Sequence, residues 1–87
     1  MKITSTGLGL VYKQEALSGT VDGSNKVFTT SLKPWDTTGN EMLVWLGSIQ
    51  ILTTDWTFAI VGGVGQVSFV TAPPLGSTPA AIYLTKN

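Results

Sequence analysis

Short apolar or alternating runs, broken at close intervals by Gly, Pro, Asn and Asp, give this chain a β rhythm along most of its length. Leu17 to Val21 is a first run, and Asp22-Gly23-Ser24-Asn25 follows as a turn. Lys26 to Thr30 then alternates and is rich in β-branched residues, so the stretch from Leu17 to Thr30 predicts a hairpin. Pro34 ends that strand because proline cannot donate to a ladder, and Asp36 to Asn40 is a polar loop. Met42-Leu43-Val44-Trp45-Leu46 is apolar at every position, the pattern of a strand covered on both faces. Gly47-Ser48 turns it into Ile49-Gln50-Ile51-Leu52, a second hairpin.

A third hairpin is predicted from Trp56-Thr57-Phe58-Ala59-Ile60, the glycine turn at 62–65 and Gln66 to Val70, with Trp56, Phe58 and Ile60 on one face. Ala72 to Ser77 is a proline-stiffened connection, and Ala80 to Leu84 closes the sheet. No segment carries a helical period. These elements predict an all-β domain, a small antiparallel β-sandwich or partly open barrel of six to eight short strands.

The first fourteen residues stand apart. Leu8, Leu10 and Tyr12 alternate with Gly7, Gly9 and Val11, so three anchors fall on one side of an extended segment. The expected division is an arm over 1–14, packed on a neighbouring subunit, followed by a sandwich domain over 15–87. An ordinary first strand or a frayed terminus are the alternatives.

Composition narrows the function. Eighty-seven residues make one domain with a small core, and without Cys or His there is neither a disulfide nor a zinc site to support it. Oligomerisation is the support that remains. Charged residues are 11% of the chain, against roughly 25% in an average soluble domain. A positive mean hydropathy of +0.27 then implies that partners cover part of the surface. Zero net charge and the lack of Arg remove the electrostatic term that nucleic-acid binding needs. No apolar run is long enough to span a bilayer, and the start has no signal-peptide core, which argues against an exported adhesion module.

Candidate chemistry is sparse. Nucleophilic catalysis lacks its usual base, and Ser24 near Lys26 is ordinary turn chemistry. Asp22, Asp36 and Asp55 all sit at turn or loop positions, where carboxylates cap backbone rather than act in pairs. The Asp22 to Asn25 turn offers too few carboxylates for Ca²⁺. The reading is therefore non-enzymatic, with no catalytic residue, cofactor or metal. Of the three Trp, Trp45 and Trp56 lie in strands, where aromatics usually serve the core. Trp35, beside a polar loop, suits a partner chain or a sugar, or caps its own sandwich. The partner-binding candidates are Leu8, Leu10, Tyr12, Trp35, Leu43 and Trp45.

Three stretches resemble a recurring small β-sandwich module of bacteriophage virion proteins found in tails, fibres and capsid decorations. They are Gly19 to Thr29 with its D-G-S-N turn, Leu43 to Gln50 leading to Asp55-Trp56-Thr57-Phe58, and Val67 to Ser77 with A-P-P-L-G. Trp56 stands where that family prefers Tyr, and the loop from Trp35 to Asn40 is longer. The resemblance implies a virion part present in many copies, made in the host cytoplasm, without catalytic residues. The expected role is an accessory or decoration subunit that packs on capsid or tail proteins and on its own copies. The alternative is a tail-associated module that binds host glycan or receptor through Trp35 and residues 36–40.

Overall fold

The computed structural model describes residues 9–86, and these form two antiparallel sheets. In chain order the strands are β1 (Leu10–Ala16), β2 (Val27–Thr29), β3 (Leu43–Leu46), β4 (Ile49–Ile51), β5 (Trp56–Val61), β6 (Val64–Phe69) and β7 (Pro79–Lys86), with a 3-10 turn at Thr53–Asp55 before β5. One sheet has the order β1-β7-β3-β4 and the other β2-β6-β5. The all-β expectation holds, as two sheets rather than a closed barrel.

Local chemistry explains the two tight hairpins. Gly47, at φ +63°, turns β3 into β4, which pair from Leu46↔Ile49. Gly62 and Gly63, both at positive φ, link Val61 to Val64, as a two-residue hairpin between right-twisted strands requires. The hairpin expected between Leu17 and Thr30 is reduced to a single bridge, Ser18↔Thr29. Leu17 instead enters the core, and Asp22 holds the intervening turn by accepting from the Ser24 and Asn25 amides, each at 2.8 Å.

The division at residue 14 falls inside a strand. Leu10 to Gln14 belong to β1, which pairs with β7 over its whole length from Leu10↔Lys86 to Ala16↔Ala80. This part of the expected arm is the sandwich's own first strand, because β7 offers a long edge that satisfies its backbone. The rest of that segment, Met1 to Leu8, lies outside the described residues.

The core sits between the sheets. Phe28, Val67, Phe69 and Trp56 meet Val44, Ala81, Tyr83, Met42 and Leu17, with Phe28 and Phe69 edge to face at 5.7 Å. The two flanks of the sandwich differ. β1 lies over β2, since the Ser31 amide and hydroxyl just beyond β2 donate to the Glu15 carboxylate of β1 at 2.9 and 2.5 Å. On the other flank Leu52 to Asp55 carries the chain directly from β4 to β5.

Candidate functional site

Strand alternation sorts the four-stranded sheet into a covered and an uncovered face. Val44, Ala81, Tyr83 and Thr85 point to the core and are buried. On the opposite face the register sets Tyr12 beside Leu84, then Gln14, Ile82 and Leu43 in one row, then Ala16, Ala80, Trp45 and Gln50 in the next. Tyr12 is 50% exposed and Leu43 is 44% exposed, while Trp45, Ile82 and Leu84 are half-buried. At strand spacing this face covers roughly 300–400 Å², the size of patch that on a monomer is often functional. Apart from two glutamine amides and the Tyr12 hydroxyl, its rows are apolar.

Two expectations for β3 are thereby corrected. The strand is not buried on both faces, and Trp45 is not a core residue. Val44 and Met42 fill the interior, and no second layer covers Leu43 and Trp45 among the described residues. A chain this short closes one core and leaves the other side of its larger sheet open.

Trp35 joins the same face at one end. Pro34 bridges Thr85, and the Trp35 amide donates to the Leu84 carbonyl at 2.8 Å, which sets Trp35 opposite Leu84. Trp35 is 53% exposed and borders an open cleft of about 360 Å³ lined also by Leu32, Lys33, Thr37 and Lys86. Four of the six sequence candidates, Tyr12, Trp35, Leu43 and Trp45, thus converge on one surface from three separate segments. Leu10 is buried and lies outside the core cluster, and Leu8 lies outside the described residues.

The sequence missed Ala80, Ile82 and Leu84, which form the centre of the face. Their run looked like a closing strand, and its signal was the unbroken apolar stretch from Ala80 to Leu84, too apolar for a strand at a sheet edge.

Polar side chains near the face serve structure. Asp36 accepts from the Thr38 amide and hydroxyl and from the Glu41 amide, at 2.9, 2.6 and 3.0 Å, and so closes the loop after Trp35. These bonds hold its carboxyl below the usual aspartate value, and the Ser24 and Asn25 amides do the same for Asp22. On the inner side Glu15 accepts from Ser31 and from the Tyr83 hydroxyl. Burial acts to raise the Glu15 carboxyl, and these hydrogen bonds together with Lys13 outweigh it, so its pKa is lowered. Burial first, and then the Glu15 carboxylate, push the Tyr83 hydroxyl up to about 12. Among the described residues no group of three or more Asp or Glu side chains is arranged to hold a metal ion.

Comparison with protein-family models, with curated proteins and with solved structures finds no match to this chain. The structure itself defines a small all-β module in two antiparallel sheets, with one apolar sheet face exposed.

Proposed function

We propose that this chain is a non-catalytic structural subunit that works by packing the outer face of its four-stranded sheet against another protein chain. The observation that carries this is the convergence of Tyr12, Leu43, Trp45, Ile82 and Leu84 on a face that no second layer covers among the described residues. Burying such a face is favourable by roughly 25 cal/mol per Å² of apolar surface, and in a neutral chain no charge term opposes it. The resemblance of residues 19–84 to phage virion modules supports the setting: an accessory or decoration subunit on a capsid or tail, present in many copies. Aromatic residues such as Tyr12 and Trp45, on either side of the Ala80, Ile82 and Leu84 row, are usual anchors of such contacts.

Imaging of the purified parent phage particle carrying a tagged copy tests this reading. Label at regular positions on head or tail, lost with Leu43→Asn and Tyr12→Thr together, is the expected result. Particles that assemble with no label while the tagged chain stays folded and free would refute it.

A second reading rests on Trp35. An exposed indole beside Lys33, Thr37 and Lys86 in an open cleft suits a sugar ring that stacks on its face and hydrogen-bonds at the rim. Titration with host polysaccharide separates the two, since Trp35→Ala abolishes sugar binding under this reading and leaves folding intact.

A further inference from the structure

The four sheet edges are not equivalent. β2 and β4 have three residues each, too short to template much pairing. β1 is long, but its inner-facing positions include Lys13 and Glu15, and inward-pointing charge on an edge strand discourages further strand addition. β5 has six residues, Trp56-Thr57-Phe58-Ala59-Ile60-Val61, with no charge and no proline.

The register fixes which backbone groups of β5 are open. The Phe69 amide donates to Lys26 and the Gly65 carbonyl accepts from Thr30, so alternate residues of β6 face β2. Ser68, Gln66 and Val64 therefore face β5 and engage Thr57, Ala59 and Val61. The amides and carbonyls of Trp56, Phe58 and Ile60 point away from the sheet, and among the described residues none has a hydrogen-bond partner.

We infer that β5 pairs antiparallel with β5 of a second copy, about a two-fold axis at Phe58. The open groups are self-complementary: Phe58 faces Phe58 of the other copy, Trp56 faces Ile60 and Ile60 faces Trp56. Every open amide then meets an open carbonyl, and two three-stranded sheets become one of six strands. The flank around the edge is suited to a partner of the same kind. Leu52, in the link that enters β5, is 66% exposed, and Phe58 and Ile60 are only half-buried. With no charge on β5, two copies meet without repulsion. A contact about 20 Å long and two sheets deep covers roughly 400 Å² per copy, about half of what a stable specific interface buries and within the range of weak, transient contacts. Association is thus concentration-dependent, and a larger assembly that holds many copies close would complete it.

The chain has no Cys, which makes a disulfide test clean. In the inferred register Thr57 lies opposite Ala59 of the other copy, with side chains on the exposed face and Cα atoms about 4.5 Å apart, within disulfide reach. Thr57→Cys mixed with Ala59→Cys under mild oxidation should give at least tenfold more cross-linked dimer than either variant alone. Ile60→Pro, which removes an open amide and no ladder bond, should weaken dimerisation of the otherwise unmodified chain at least tenfold in sedimentation. Deleting residues 1 to 8 should leave the cross-link unchanged. Equal cross-linking in the mixture and the single variants, or a strict monomer at every concentration, would overturn the inference. So would a several-fold gain in cross-linking on deletion, because the occupant of the edge in the full chain would then be that segment. Leu43→Asn and Tyr12→Thr do not touch this edge, so the outcome here and the outcome for the sheet face are read separately.

Discussion

The Tyr83 hydroxyl of β7 donates to the Glu15 carboxylate of β1, while the Ser31 amide and hydroxyl hold the same carboxylate from the loop after β2. One acid thus ties the first strand, the last strand and the opposite sheet together. The tie has a pH signature on both sides. The Glu15 pKa is lowered in the fold, so its contribution is present above the ordinary glutamate value of 4.5 and is lost as pH falls through the folded value. Tyr83 is raised from 10.0 to about 12, so its contribution is whole below pH 10 and is lost as pH climbs towards 12. Thermal midpoints measured across pH should show a plateau between these limits. Tyr83→Phe should flatten the alkaline fall and cost about 1–3 kcal/mol at neutral pH. An unchanged alkaline fall in that variant would refute the assignment.

Polar substitution on the open sheet face should spare the fold. Leu43→Asn and Tyr12→Thr remove side chains that are about half exposed, and each should shift stability by no more than about 0.5–1 kcal/mol in chemical denaturation. A loss of several kcal/mol would show that the face is covered within the chain.

Two glycines separate backbone strain from crowding. Gly23 and Gly39 have nearly the same positive φ, +83° and +81°, but a Cβ on Gly23 meets nothing within 4 Å, whereas on Gly39 it meets Phe58 Cβ at 2.8 Å. Gly23→Ala should cost about 1–2 kcal/mol from the left-handed backbone alone. Gly39→Ala should cost about 2–4 kcal/mol, since a clash is added. Equal losses in urea titrations would mean that the loop over Phe58 yields freely.

Core substitutions should rank by what they leave behind. Phe28→Ala empties a site that is 1% exposed and should cost about 3–5 kcal/mol, much of the total for a domain of this size. Trp56→Phe also removes volume, but the Trp56 Nε1 is buried with no partner among the described residues, and removing an unsatisfied donor recovers about 1–3 kcal/mol. That variant should lie within about 1.5 kcal/mol of the parent in calorimetry or denaturant melts. A loss as large as that of Phe28→Ala would mean that the indole N–H is satisfied in solution.

Alternation and turn chemistry are local, and they were legible. The hairpins at Gly47-Ser48 and Gly62-Gly63, the inward side of Trp56, and the capping roles of Asp22 and Asp36 follow from residues within a few positions of one another. The Leu17 to Thr30 hairpin looked equally local and reduced to one bridge, because β7 competes for the chain just before it.

The sequence by itself determined that this protein is all β, that it has one small core, and that Asp22 and Asp36 serve turns, since each of these depends on composition, on a period of two or on residues a few positions apart. Only the tertiary structure decided that β7 lies at the centre of its sheet between β1 and β3, and this one placement made the outer face. Strand order is set by contacts between residues up to seventy or more positions apart, such as Leu10 and Lys86, and no local pattern encodes which partner wins. The same long-range pairing brought Tyr12, Trp35, Leu43 and Trp45 onto one surface and left β5 as an edge with its alternate amides open.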